Sequence, residues 1–120
     1  MLNDATGFKK IYICAGYTDL RRGIEGLASL VRFQFDLDPY DKDTIFLFCG
    51  RRCDRIKALI WEGDGFLLCY KRLEIGAFRW PRSKAEAIEI SYDQYHMLMQ
   101  GLEIIAKRPI TELVDPPKAV

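Results

Sequence analysis

Histidine is almost missing from this chain: His96 is the only one in 120 residues. Nucleophilic catalysis of the serine–histidine or cysteine–histidine kind needs a base beside its nucleophile, and no serine or cysteine pairs with His96 in a recognisable pattern. There is no glycine-rich phosphate loop. No run of about eighteen apolar residues is present to span a bilayer. The opening Met1-Leu2-Asn3-Asp4-Ala5-Thr6-Gly7 has neither the basic nor the apolar region of a secretory signal, so a cytoplasmic protein without membrane contact is expected. Cysteine is sparse, at 14, 49, 53 and 69, and Cys49 and Cys53 lack the two-residue gap of a zinc knuckle. Reduced thiols are expected, with Cys14, Cys49 and Cys69 acting as small buried hydrophobes in apolar runs, and with neither metal nor cofactor. An excess of one charge is lacking as well: 18 Lys and Arg face 17 Asp and Glu, which excludes a strongly basic binder acting through its bulk field.

What the chain does have is apolar mass. Residues of that kind make up 49% of it, enough to exclude disorder for most of its length, and the size suits one domain. We assign that domain to residues 1–108. Pro109, Pro116 and Pro117 mark a loose tail over 109–120.

Lys10 to Ala15, Thr44 to Cys49, Arg55 to Glu62, Phe66 to Arg72 and Ile88 to Ile90 read as strands. The third and fourth are joined by Gly63-Asp64-Gly65, a connection that favours a hairpin. In the third, Ile56, Ala58 and Ile60 share one face, with Lys57, Leu59 and Trp61 on the other. Thr18 and Asp19 stand as cap residues before Leu20, Ile24, Leu27, Ala28, Val31 and Phe35, whose spacing predicts a helix that Asp38-Pro39 should stop. Gly23 and Gly26 weaken it relative to alanine; tight packing against a sheet would explain them, and a weakly formed first turn is the alternative. Arg21 and Glu25 are spaced for an i,i+4 pair. Ser91 and Gln94 form a capping box for a second helix, with Tyr95, Leu98, Leu102 and Ile105 inward. The expected fold class is α+β, a mainly antiparallel sheet of four or five strands with helices packed on one face.

Charge is distributed unevenly along the chain. Between Arg51 and Arg82 there are eight cations against four carboxylates, although the whole carries only +1. Aromatic rings are interleaved with those cations: Trp61, Phe66, Tyr70, Phe78 and Trp80. Cations that can meet phosphate beside rings that can stack on bases point to a nucleic-acid surface. The candidate contacts are Arg21, Arg51, Arg52, Arg55, Lys57, Lys71, Arg72 and Arg79, supported by Asp19 and Asp54. Solvated-face charge is the other reading of the same residues, and Trp61 and Trp80 can serve as core or interface residues as readily as base platforms. Asp54, Glu62 and Asp64 are the one carboxylate group close enough in sequence to suggest a magnesium-dependent nuclease, but two of them flank a turn glycine, where such residues are ordinary. No catalytic residue is assigned.

Taken in order, Gly16-x-Thr18-Asp19-x-Arg21-x-Gly23, Gly50-Arg51-Arg52-x-Asp54-Arg55-Ile56-Lys57, Trp61-x-Gly63-x-Gly65-Phe66 and Lys71-Arg72-Leu73-Glu74-x-Gly76-x-Phe78-x-Trp80-Pro81 resemble the TnpB-type accessory proteins of insertion sequences of the IS sixty-six type. These are distinct from the RNA-guided nuclease of the same name. The resemblance runs from about Lys10 to Leu102, with Cys53 standing where a small or polar residue is expected. It implies a non-enzymatic protein needed for efficient DNA transposition, acting with a separately encoded transposase. The expected partners are DNA, at or near the element ends, and the transposase with a companion accessory protein. The alternative is a protein-interaction module that docks those proteins without touching DNA.

Overall fold

The computed structural model describes residues 1–82 and 85–104. Five strands form one sheet: β1 (Lys10–Cys14), β2 (Thr44–Cys49), β3 (Arg55–Trp61), β4 (Phe66–Arg72) and β5 (Ala87–Ile90), in the order β4-β3-β2-β1-β5. All pairs are antiparallel except β1 with β2, so the α+β class and the mainly antiparallel sheet hold. β2 is buried along its whole length, as its unbroken apolar run requires of a strand covered on both faces. β3 and β4 meet across the Glu62–Gly65 turn, where Gly63 takes φ +94°, a value open to glycine and costly for other residues.

The helices divide between the two faces of the sheet, which corrects the expectation of one helical face. Parallel neighbours need a crossover, and α1 (Ile24–Ser29) supplies it between β1 and β2. Its Leu27, with Val31 just beyond, packs on Cys14, Phe46, Phe48 and Leu59. α2 (Tyr92–Met99) follows β5 on the opposite side and sets Tyr95 and Leu98 against Ile11, Ile13, Ile45, Leu47 and Ala58. Strand alternation produces the split, because residues in odd and even positions of β1 and β2 belong to different clusters.

α1 is shorter than its apolar periodicity predicts. Gly23 is its N-cap, with no side-chain cap, so the weak first turn is the outcome at the two glycines. Residues 20–22 stay outside the helix, and Arg21 pairs with Asp19 instead of Glu25. A π-helical turn, Leu30–Gln34, ends the segment before Asp38-Pro39 is reached, and Asp36 follows in the left-handed region at φ +55°. α2 begins at the capping box expected of Ser91 and Gln94. It ends earlier than expected: Gly101 at φ +80° closes it, with Leu102 N–H donating to Met97 O at 2.9 Å and Gly101 N–H to Leu98 O at 3.0 Å, a Schellman arrangement. Leu102 is thereby turned outward and exposed. Ile105 and the tail over 109–120 lie outside the described residues.

Burial raises the thiols of Cys14 and Cys49 far above their ordinary value of 9.0. It also pushes the Tyr95 hydroxyl, which donates to Leu2 O, up to about 12. In strong base the unfolded chain ionises these groups while the folded chain keeps them protonated. The native state then binds more protons, so stability should fall as pH rises past about 9, by up to about 1.4 kcal/mol per pH unit for each thiol. Urea denaturation at successive alkaline pH values reads this slope, and a flat midpoint would mean that the thiols are not sealed off.

Candidate nucleic-acid interface

A shallow groove of about 550 Å³ lies at the C-terminal ends of β1 and β2. One wall is the loop after β1, with Thr18, Leu20 and Arg21; the other is the β2–β3 turn with Arg51 and Arg52, continued by Arg55 at the start of β3; Tyr70 of β4 closes one side. The walls are held at close range by backbone: Thr18 N–H donates to Cys49 O at 2.9 Å, and a Cβ added at Gly50 would meet Leu20 at 3.2 Å. Glycine at 50 therefore lets one loop seat on the other.

The β2–β3 turn is itself tightly built. Gly50 N–H donates to Arg55 O at 3.1 Å and Cys53 N–H to Gly50 O at 3.0 Å. Cys53 adopts φ +58°, uncommon for a residue with a side chain, and is buried among core residues beneath the turn. Its carbonyl accepts from Phe78 N–H at 2.7 Å, and that of Asp54 from Leu73 N–H at 2.7 Å. Arg51 and Arg52 thus project from a turn anchored on both flanks. They are exposed and have no carboxylate within ion-pair distance among the described residues.

The other cations are more committed. Arg21 grips Asp19 through Nε and Nη2, at 3.0 and 2.9 Å from its two oxygens. That fork, with the Arg21 N–H on the same carboxylate, holds Asp19 down at about 2. Arg55 Nε lies 3.6 Å from Asp54 Oδ1, and both atoms are enclosed without a hydrogen-bond partner. Lys57 donates to Arg22 O at 3.0 Å and sits 5.6 Å from the centroid of the Tyr70 ring. Arg72, opposite Arg55 in the ladder, reaches Glu74 at 3.6 Å. Lys57, Tyr70, Arg55 and Arg72 share the α1 face of the sheet.

Four residues of the sequence pattern stand elsewhere. Lys71 projects from the α2 face, where its ammonium meets Asn3 Oδ1. Arg79 lies between two buried rings and borders a separate hollow with Arg82 and Glu103. Trp80 is core: it is 4% exposed, and its Nε1 donates to Cys14 O at 2.9 Å. Trp61 is half-buried at the far end of β3, edge-on to Phe66 and Tyr40. Neither indole opens onto the groove. Tyr70 does, 55% exposed, and Arg82 packs over Tyr17 with its guanidinium 3.7 Å from Cys53 Sγ. Tyr70 is already among the rings interleaved with the cations in sequence, and the hairpin register places it opposite Lys57; nothing local in the sequence brings Arg82 to Tyr17.

Asp54 and Glu62 bracket the seven residues of β3, about 23 Å of extended chain. Among the described residues no three His, Cys, Asp or Glu side chains converge as a metal site would need. No helix among them is long and apolar enough to cross a membrane.

Comparison with known proteins agrees with the ordered motifs. The family model described as IS66 Orf2 like protein matches residues 9–109. Two proteins of Sinorhizobium fredii, both called uncharacterized, are similar over most of their length: y4jC is 37% identical over 103 residues, 86% of each chain, and y4hO is 36% identical over 94 residues, 78% of this chain and 81% of its own. No solved structure matches. On the family match and these two relatives, the chain belongs to the IS66 Orf2-like proteins, accessory proteins of insertion-sequence transposition.

Proposed function

We propose that this protein is a non-enzymatic accessory factor in DNA transposition that binds DNA through the groove between the loop after β1 and the β2–β3 turn, and acts with a separately encoded transposase. The observation that carries this reading is the pair Arg51 and Arg52, two guanidinium groups on a rigid turn without a carboxylate partner among the described residues. Arginine forks match phosphate oxygens geometrically, and a turn tied to the sheet presents them with little ordering cost. Arg55, Lys57 and Arg72 extend the positive surface along the same sheet face, with Tyr70 as an exposed ring beside it. The separation of Asp54 from Glu62 supports the non-enzymatic assignment, since a two-carboxylate metal site needs both within a few ångströms of one ion.

The test is a gel-shift series with element-end duplex, scrambled duplex and single strand at two salt concentrations. DNA binding predicts affinity that falls steeply with salt, because each neutralised phosphate releases condensed counterions. Absence of any shift at low salt would remove DNA from the function and leave the groove as a docking surface for an acidic protein partner.

A further inference from the structure

The outer side of α1 carries a second feature, away from the arginine groove. Ile24, Ala28 and Phe33 line a hollow of about 520 Å³ with Tyr40 and Phe66, and Glu25 and Arg32 stand at its margin. Phe33 is 81% exposed, a large ring displayed to water at the mouth of an apolar hollow. The π-helical turn puts it there. Five positions along an α-helix rotate a side chain by about 140°, which would swing Phe33 away from Ala28. The wider turn, with Phe35 N–H donating to Leu30 O, brings Phe33 back over the row begun by Ile24 and Ala28.

The order of residues along this row is self-complementary. About the point midway between Ala28 and Ser29, Ile24 mirrors Phe33 and Glu25 mirrors Arg32, leaving two small residues at the centre. A two-fold axis through that point lays one copy antiparallel on another. Ala28 and Ser29 then allow close approach, each Phe33 meets the partner copy's apolar end, and each Glu25 faces the partner copy's Arg32. Isologous contacts require this pattern, in which one residue meets a second and the second meets the first. Within one chain Arg32 reaches Asp38 at 3.8 Å and lies 5.9 Å from the centroid of the Tyr40 ring, whereas Glu25 has no cation within ion-pair distance among the described residues. An apolar strip edged by charge is the usual anatomy of a protein interface. We propose that the α1 face is a homodimer interface whose occupant is a second copy of this chain, paired antiparallel through Phe33 and the reciprocal Glu25–Arg32 contacts. The proposal stands whether or not the arginine groove binds DNA.

Sedimentation of the full chain over a concentration series tests it, with circular dichroism confirming that each variant is folded. The wild type should reach the mass of two chains. Phe33→Asp should sediment as one chain, as should Glu25→Arg and Arg32→Glu, since each charge reversal opposes like charges at both margins. Mixing Glu25→Arg with Arg32→Glu should restore the two-chain mass, because in that mixed pair every margin contact is again of opposite sign. A wild type that stays monomeric at every concentration overturns the proposal and leaves the hollow to a different protein. Variants that dimerise as well as the wild type overturn it too, as does a mixture that fails to recover the dimer.

Discussion

Trp80→Ala should destabilise the fold by about 3–5 kcal/mol, the usual cost of deleting a large buried aromatic side chain. Against the 5–15 kcal/mol typical of a small domain, that is a large share of the total. The indole is enclosed by the α2-side core, and its Nε1 hydrogen is given to the carbonyl at the end of β1. The segment it anchors also ties both walls of the arginine groove: Phe78 N–H donates to Cys53 O, and Gly16 N–H to Pro81 O at 2.9 Å. Trp80→Phe separates the two contributions. It keeps much of the apolar contact but leaves Cys14 O without its donor, at a cost of about 1–3 kcal/mol for an unsatisfied buried group. Urea denaturation should rank wild type above Trp80→Phe above Trp80→Ala, and a loss below about 1 kcal/mol for the alanine variant would show that the ring is not a core element.

That a tryptophan from the basic, aromatic stretch belongs to the core marks how far the sequence could be read. Strand positions were legible because their signal is local: β2 is an unbroken apolar run, β3 alternates, and Gly63-Asp64-Gly65 fits the hairpin turn. The capping box of α2 was legible for the same reason, its two residues being three apart and bonded to each other. The faces were not. Whether a helix lies above or below a sheet depends on which strands are neighbours, and the parallel β1–β2 pair that forces α1 across one face joins residues some thirty-four positions apart. α1 was overread because apolar spacing ignores backbone cost: Gly23 and Gly26 weaken its start, and the π turn changes the period after Ser29.

The candidate site shows the same division. The clustering of Arg51, Arg52 and Arg55 was visible in the linear order, as was their place after a buried strand. Lys71 could be separated from Lys57 only once the hairpin register was known, because alternation sends them to opposite faces. Asp19 read as a helix cap, yet with residues 20–22 outside the helix its carboxylate is taken by Arg21. The sequence thus named the residue types of the groove better than their pairings, since ion pairs depend on where each loop turns.

Joint replacement of Arg51 and Arg52 by alanine should weaken DNA affinity and lower the slope of log K against log salt by roughly one for each phosphate that is no longer neutralised. These two side chains are singled out because the neighbouring cations already have protein partners: Arg21 holds Asp19, Arg55 faces Asp54, Lys57 holds Arg22 O and Arg72 reaches Glu74. A partnered arginine must give up that partner to take a phosphate, so its net contribution is smaller. The control removes the same charge from elsewhere. Lys9 and Lys10 stand at the start of β1, at the other end of the strand from the groove, and lie 4.0 Å from Asp43 and Asp41. Their joint replacement changes net charge equally, so it should leave the slope almost unaltered if local phosphate contact governs affinity, and should lower affinity as much as the arginine pair does if only the overall field matters. Exposure of both pairs makes a folding defect unexpected, and equal melting temperatures would confirm it. Equal slopes for the arginine variant and the wild type would take Arg51 and Arg52 out of the interface, and with them the contact on which the groove's assignment to DNA rests.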